Sequence, residues 1–521
     1  MTKTPADTIT PPRHGLRAAL SEPSLKILAS AILVSTVGRG IFLTLTVLYF
    51  SRFVGLSAVE IAVILSVSSG VGVATSYIGG RLADHLSARR LLVVMVAVEG
   101  LAIASYTFAG NFGTAVVIAC ITVGVDRAAN ATRSAIIARA FDGPNRVNAR
   151  AVLRTITNLG IATGGMIAGL ALLAGTADAF RVMMISAGVV YVLSALHLRR
   201  LPSRVDAPRH DPANPAPKRG ISPFKDHRYV LLTVLSGIFG MQFGLAEMGV
   251  PLWISQDTSA PDVLISVVLV INTVCVVLLQ VPLSRGTDHP ARAGKIVLTG
   301  GVLMAAACAL YALAGGVPVV AAIILLCGAA LLHSLAEILS QAGAWGLSFE
   351  LANPLQAGAY QGMFGMGSAL GAMLAPLVVT ATVVEHGTLG WAILGAVFVA
   401  SAAGVALIAR KATTTAVLAQ RGGRRVRRRP PAGCALVSGG GSSSEHSGHC
   451  PSGNSPTCGQ IHPSKHRSFL HDSCAIDCPP KPRSFLLRCT KALIRYAKIQ
   501  PRGETAASNI TTETEGLSRP P

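Results

Sequence analysis

The chain is 521 residues long, 51% of its residues are hydrophobic and only 13% are charged, and its mean hydropathy is +0.54. Because soluble domains carry about 25% charged residues, this composition excludes an ordinary soluble protein and indicates many membrane spans. The net charge of +21 is divided: residues 1–410 carry 28 Lys and Arg against 18 Asp and Glu, and residues 411–521 carry 17 against 6. The enrichment of basic residues in cytoplasmic loops explains the first excess, so we expect no nucleic-acid partner.

Apolar stretches follow one another through the first 410 residues, and we expect each to be a helix that crosses a membrane. A spanning helix needs about 20 mostly apolar residues, and its backbone hydrogen bonds are satisfied within the segment. The first stretch is too long for the core of a cleaved signal peptide. The stretches lie near residues 26–50, 57–80, 91–109, 114–138, 151–174, 180–198, 229–254, 263–284, 296–315, 317–341, 358–383 and 389–409.

Lys and Arg are concentrated in alternate loops, which predicts that these loops and both termini are cytoplasmic. The predicted fold is an all-α membrane protein of the cell membrane, with twelve transmembrane helices in two repeated six-helix halves. Trp253 and Trp391 lie near span ends, as interfacial anchors do. The predicted divisions are a cytoplasmic N-terminal segment (1–24), the first half (25–200), a Pro- and Arg-rich cytoplasmic linker (201–228), the second half (229–410) and a disordered basic tail (411–521).

The pattern Arg-x-x-Asp-His occurs twice, at Arg81–His85 and at Arg285–His289, each time at the end of an apolar stretch. A charged loop at matching positions of two apolar halves predicts an internal duplication, which is common in solute transporters. An Asp at a helix end binds neighbouring helix termini and basic side chains, and such contacts can hold one conformation. A basic turn that only sets topology is the alternative. The candidate latch residues are Gly80, Asp84, Arg89, Arg90, Arg285 and Asp288.

The segment from Gly80 to Arg90 resembles the loop motif between spans two and three of the major facilitator superfamily. That motif reads Gly-x-x-x-Asp-Arg/Lys-x-Gly-Arg-Arg, and His85 and Ser87 depart from it. Residues 127–131 resemble the fourth-span motif Arg-x-x-Gln-Gly, with Asn and Ala in the last two places. The resemblance covers about residues 25–410 and associates the Arg of the fourth span with proton transfer.

A third motif resembles span five of the twelve-span drug:proton antiporters within this superfamily. Their pattern is Gly-x-x-x-Gly-Pro-x-x-Gly-Gly, and here Gly165 replaces the Pro and Ala168 a Gly. Small residues at every fourth position let helices approach closely, so ordinary helix packing is an equally available interpretation. The predicted packing glycines are Gly160, Gly164 and Gly169, with a second pair, Gly367 and Gly371, 207 residues later.

Several ionisable residues fall inside the predicted spans. A charged group at mid-bilayer costs about 2.5–3.5 kcal/mol, so it normally faces a partner or a watery cavity. The resemblance implies a central cavity lined by spans one, four, seven and ten, and each of these carries such a group. Simple ion pairing, for instance of Asp126 with Arg39 or Arg127, is the alternative. The candidates for substrate binding and proton coupling are Arg39, Asp126, Arg127, Glu247, His333 and Glu337, with Gln242, Tyr360 and Gln361 as further polar candidates.

The resemblance implies a secondary active transporter that works by alternating access. We expect proton-coupled efflux of a small organic molecule such as a drug or natural product, by a monomer whose partners are substrate, protons and the lipid bilayer. We expect no catalytic residues, no cofactor and no metal. A proton-coupled uptake symporter for a small metabolite stays open, and so do two other classes, a polytopic membrane enzyme and a non-transporting sensor.

Overall fold

A computed structural model describes residues 22–206 and 221–427, which form helices and short connections without a strand. Residues 1–21 of the predicted N-terminal segment, half of the linker (207–220) and the tail after Arg427 lie outside the described residues. Eleven helical stretches in the described part are long and apolar enough to cross a membrane. The first ten are α1 Pro23–Val54, α2 Val59–His85, α3 Ala88–Phe108, α4 Phe112–Ala140, α5 Pro144–Ala174, α6 Ala177–Leu198, α7 His227–Asp257, α8 Val263–Leu283, α9 Pro290–Leu313 and α10 Val319–Glu350.

The eleventh stretch, Pro354–Thr414, contains 61 residues and is broken at one glycine. A straight helix of that length would extend about 90 Å, three times the hydrocarbon thickness of about 30 Å. At Gly387 the backbone leaves the helical region, with φ 52° and ψ −124°. A Cβ on Gly390 would overlap the carbonyl of Thr382, so the chain folds back here. We label the two helices of this stretch α11, Ala357–Val379, and α12, Glu385–Arg427. The break at Gly387 lies at the beginning of α12.

The break at Gly387 lies between the two spans predicted at 358–383 and 389–409. The second part, α12, continues beyond residue 410 to Arg427. The chain is therefore still helical where the sequence predicted a disordered tail to begin.

The helices of residues 25–200 meet in the same pairs as those of residues 229–410. In the first set α1 packs against α5 and α6, α4 packs against α2 and α3, and α3 packs against α6. In the second set α7 packs against α11 and α12, α10 against α8 and α9, and α9 against α12. Further contacts join the sets, α11 with α2 and α4, and α5 with α8 and α10. This repeated pairing is the pattern expected of a duplicated bundle.

Four of the five predicted packing glycines lie where helices of one half meet. A side chain at any of the four would overlap the facing helix, so glycine permits the close approach. Gly169 is different, because nothing lies within 4 Å of the place that its Cβ would take. The prediction that Gly169 packs against a helix is therefore wrong for this structure. The four contacts are Gly160 with Thr36, Gly164 with Gly40, Gly367 with Thr233, and Gly371 with Gly237.

Helix α7 is interrupted near its middle. It is α-helical as far as Gly240, turns at Met241, widens into a π-helical turn at Leu245–Gly249 and resumes at Val250. Pro251 has no N–H to donate to the carbonyl four residues earlier, which accounts for a disrupted ladder at this point. Such π turns are frequent at functional sites.

Trp253 and Trp391 are not interfacial anchors. Their rings meet edge to face with centroids 5.8 Å apart, and Trp253 Nε1 donates to the Tyr311 carbonyl at 2.8 Å. Both side chains are buried inside the second half. We call the end of the bundle at which the α2–α3, α6–α7 and α8–α9 connections lie the basic end.

Candidate functional site

A cavity of about 430 Å³ is lined by helices of both halves. The first half contributes Arg127 of α4 and Arg154 of α5, and the second contributes Glu247 from the π turn of α7. The remaining lining is polar in part and aromatic in part. It includes Gln242, Ser340, Gln341, Phe239, Phe243 and Phe364.

Two of the predicted residues, Arg127 and Glu247, line this cavity as unpaired charges. Within the described residues neither side chain makes a hydrogen bond or an ion pair, and the aliphatic stem of Arg127 lies against Gly72 of α2. The cavity thus presents one free cation from the first half and one free anion from the second.

Arg39 and Asp126 form an ion pair inside the first half. Arg39 Nη1 lies 2.6 Å from Asp126 Oδ1, which also accepts from Asn130 Nδ2 at 2.9 Å. Arg133 Nη1 in turn donates to Asn130 Oδ1 at 2.7 Å. Arg39 and Asp126 are not part of the cavity lining. Arg39 and Asp126 thus have the geometry of a simple ion pair, which was the alternative to a role in substrate binding or proton coupling.

Glu337 makes an ion pair across the two halves. Its Oε1 accepts from Arg154 Nη2, and its Oε2 accepts from Asn272 Nδ2 of α8 at 2.9 Å. The Arg154 guanidinium also lies over the Phe243 ring, 5.2 Å from its centroid. Glu337 is almost fully buried, so the pair is held in a low dielectric, where removal of one partner costs about 3–5 kcal/mol. Arg154 therefore connects the cavity to an ion pair that holds the halves together.

His333 lies one helical turn from Glu337 and is buried next to Tyr311, with ring centroids 6.1 Å apart. Its Nε2 has no hydrogen-bond partner in the described part of the chain. Within that part no three His, Cys, Asp or Glu side chains come together as metal ligands do.

Arg154 and Asn272 were not among the residues predicted from the sequence. The fifth span was predicted at 151–174 and contains Arg154 near its start, while Arg146 and Arg150 were assigned to the preceding loop; in the structure α5 begins at Pro144. One signal was available, because Arg150 and Arg154 are four residues apart and share a helix face. Arg150 also lies inside the bundle, over the Trp345 ring at 5.3 Å.

Gln242 is the one further polar candidate that reaches the cavity. Its Nε2 donates to Ser340 Oγ at 3.2 Å. Tyr360 instead donates to the Ile221 carbonyl at the basic end, and Gln361 donates to the Ser348 carbonyl. Neither contributes to the cavity lining.

Asp84 joins the two halves at the basic end. Its Oδ1 accepts from the main-chain N–H of Gly358 at 2.7 Å and from the Arg139 guanidinium, and its Oδ2 accepts from the N–H of Ala359 at 2.7 Å. A carboxylate is favoured at the N-terminus of a helix such as α11. A Cβ on Gly80 would overlap the Gly358 carbonyl, so glycine lets α2 and α11 approach closely enough for these bonds.

Arg89 binds the beginning of the linker that follows its own half. Its main-chain N–H donates to Asp206 Oδ1 at 2.9 Å, and its Nη1 donates to the Leu201 carbonyl at 3.0 Å. The Arg90 side chain is exposed and makes no hydrogen bond or ion pair among the described residues. The structure therefore brings Gly80 and Asp84 to the contact between the halves, and leaves both arginines outside it.

The second copy of the pattern does not form an equivalent contact. Arg285 is exposed, and the basic group nearest to Asp288 is its neighbour His289, at 3.8 Å. Among the described residues Asp288 makes no bond to the first half. The α5–α8 contact consists instead of an apolar cluster, Ala151, Val152 and Val281.

Residues 28–376, more than half of the chain, match the sequence model of the Major Facilitator Superfamily. The chain belongs to the major facilitator superfamily. The predicted family is thereby confirmed, and it makes the protein a multi-pass membrane protein of a family of small-molecule secondary transporters, whose members are transporters rather than enzymes. Comparison with curated proteins finds no match.

Three solved structures show the same fold. The human organic anion transporter MFSD10 is 14% identical with a TM-score of 0.57, and the alignment covers 73% of this chain and 98% of that one. FucP in the outward conformation is 13% identical with a TM-score of 0.58, covering 74% and 97%. A bacterial homologue of the iron transporter ferroportin, in an outward-facing state, is 13% identical with a TM-score of 0.59, covering 75% and 100%. At such identities the likeness concerns the fold alone.

Proposed function

We propose that this superfamily member is a proton-coupled exporter of a small organic molecule in the plasma membrane. We take α11 and α12 as separate spans because of the break at Gly387, which gives twelve spans in the proposed topology. The positive-inside bias places the basic end and both termini in the cytoplasm. The protein acts as a monomer, and its drug:proton antiporter character rests on the span-five motif.

The single observation that carries proton coupling is the ion pair between Arg154 and Glu337. A proton on Glu337 removes the negative charge that holds Arg154, so it weakens a bond between the halves. The same proton frees a guanidinium at the cavity wall and so changes the charge that a bound substrate meets there. Proton binding and substrate binding thus act on one residue, which is the requirement for coupling.

Access to the cavity changes when the halves rock about it. The Asp84 contact holds α2 and α11 together at the basic end, and its release opens that end. Asp126 and His333 are secondary candidates in proton transfer, because Asp126 is engaged by Arg39 and His333 adjoins Glu337.

Proton-coupled uptake is the second candidate. It is favoured by the span-five segment, where Gly165 replaces the Pro of the antiporter motif and Gly169 faces open space. The same ion pair serves a symporter equally well, so only the direction of flux separates the two.

The test is flux in inverted membrane vesicles, with a panel of amphiphilic drugs and natural products, in the presence and absence of a pH gradient. Export predicts that substrate accumulates inside inverted vesicles when their interior is acidic, and that Glu337→Gln abolishes the effect of the gradient. Glu385→Gln, at an exposed position away from the cavity, is the matched control and keeps that effect. Gradient-independent flux in the wild type refutes proton coupling, and accumulation under the opposite gradient selects uptake.

A further inference from the structure

The free charges of the cavity are balanced. Arg154 is neutralised by Glu337, which leaves Arg127 as the free cation and Glu247 as the free anion. These two side chains belong to different halves and line the same cavity. The two charges act on each other electrostatically without forming an ion pair, and a ligand with a single charge would add a net charge to this balanced, low-dielectric site. A ligand with one positive and one negative group compensates both.

Buried polar atoms without partners collect at the same place. Arg154 Nε, Ser236 Oγ and Gln242 Oε1 have no hydrogen-bond partner within the described residues, and all three side chains line the cavity. Buried polar groups are normally paired, so these three groups at the cavity wall are ones that a bound molecule would satisfy once their side chains turn towards it.

The walls between these polar groups are aromatic. Phe239, Phe243 and Phe364 line the cavity, and the guanidinium of Arg154 covers one face of the Phe243 ring. A volume of about 430 Å³ lies in the range of about 300–1,000 Å³ that is usual for small-molecule sites. Apolar walls with few polar groups fit a compact aromatic body with charged ends.

We infer that the cavity binds zwitterionic aromatic molecules, with the anionic group held by Arg127, the cationic group held by Glu247 and the ring between the phenylalanines. The inference rests on the proposed function only for the translocation of such a molecule, because binding is measured without flux. It names a class of substrate that carries an amine and a carboxylate at opposite ends of an aromatic core.

The probes are aminoalkyl benzoic acids that differ in alkyl length, each with its methyl ester, which keeps only the cation, and its N-acetyl derivative, which keeps only the anion. Binding to the purified full-length protein in lipid nanodiscs is measured by calorimetry. The best zwitterion should bind about tenfold or more tightly than either relative, as expected for a charge-assisted contact in a partly buried site.

Two variants give a crossed pattern that a general loss of folding cannot imitate. Arg127→Gln should abolish the preference for the zwitterion over its ester and keep the preference over the N-acetyl compound, and Glu247→Gln should do the reverse. Arg52→Gln and Glu385→Gln, both at exposed positions outside the cavity, should preserve both preferences.

Equal binding of the three compounds by the wild type overturns the inference, and so does an equal loss of all three in both variants, which indicates that Arg127 and Glu247 only pair with each other. Failure of the transport proposal looks different. In that case the crossed binding pattern is present but no bound zwitterion crosses the membrane under any gradient.

Discussion

The two Arg-x-x-Asp-His loops have the same sequence pattern and hold the halves together by different means. In the first loop Asp84 lies in the last turn of α2 and binds two main-chain N–H groups of α11 and the Arg139 guanidinium. In the second, Asp288 makes no bond to the opposite half among the described residues, and the α5–α8 contact is apolar. Duplication preserved the charge pattern, whereas only one copy forms a charge-dependent contact.

The difference arises in the variable positions of the pattern and in the residue that precedes it. Helix α2 continues through Asp84, but α8 ends at Leu283 because Gly286 adopts a left-handed conformation, with φ 73°. Ser284 occupies the place of Gly80, counted back from each motif, so the close approach that glycine allows is missing. Asp288 therefore follows the end of α8 by five residues, and its carboxylate does not bind the neighbouring half.

The largest effect is expected for Asp84→Asn with Asp288→Asn as its control. The asparagine amide has no charge, keeps one acceptor oxygen and leaves the Arg139 guanidinium without its partner. We expect this to destabilise the closed basic end by about 4 kcal/mol, which lowers the equilibrium constant for closure on the order of 1,000-fold. Ser368 of α11 lines the cavity. The readout is the rate at which an impermeant maleimide, added from the side of the basic end, labels a cysteine at that position in a cysteine-free protein.

Asp288→Asn should change that rate by less than about twofold, because no bond to the other half is lost. Equal acceleration by the two substitutions would show that both loops act as latches and that the observed asymmetry has no functional meaning.

The next largest effect is expected for Glu337→Gln, which tests whether the cavity ion pair or the Asp84 contact is the main bond between the halves. Glutamine keeps a hydrogen-bonding oxygen but leaves Arg154 as an unpaired buried cation, at a cost of about 3 kcal/mol in unfolding free energy. Thermal and denaturant unfolding in detergent measure it. Since Arg154→Gln removes the other partner, the double variant should lose less than the sum of the single losses. Strict additivity would mean that the two side chains do not interact.

A smaller effect is expected for Gly80→Ala, compared with Ser284→Ala in the second loop. The added methyl overlaps the Gly358 carbonyl and separates α2 from α11, at about 2 kcal/mol and roughly 30-fold in closure of the basic end. Ser284→Ala removes only the two hydrogen bonds that the Ser284 hydroxyl makes with Gln280 of α8, and it should change closure by less than about twofold. Maleimide labelling at Ser368 reports both. A Gly80→Ala protein that closes normally would contradict the close-approach explanation.

The smallest effect is expected for Arg89→Gln. The substitution removes the bond from Nη1 to the Leu201 carbonyl, while the main-chain bond to Asp206 is retained. We expect a loss of about 1 kcal/mol in stability and a flux within about twofold of the wild type. A tenfold loss of flux at unchanged melting temperature would place Arg89 in the latch after all.

The features that could be predicted from the sequence were those that follow from the apolar interior of a membrane. Apolar length, loop charge and the duplicated pattern predicted the helices, the two halves and the contact made by Asp84, because each depends on local composition. Among the described residues Asp288 makes no bond to the first half, and this depends on where α8 ends. The pattern Arg-x-x-Asp-His does not predict that Gly286 adopts a left-handed conformation. The role of Arg154 was missed although the residue lies inside the fifth span predicted at 151–174, because hydropathy does not show which face of a helix lines a cavity.

The most direct test of the central claim, that Asp84 holds the basic end of two rocking halves closed, is a pair of spin-label distances in liposomes. One pair of labels replaces Arg81 and Leu355 at the basic end, and the other replaces Arg52 and Glu385 at the opposite end. The account predicts that Asp84→Asn lengthens the first distance and shortens the second, and that Asp288→Asn changes neither. Distances that stay fixed in Asp84→Asn, or that change in the same direction at both ends, would contradict it.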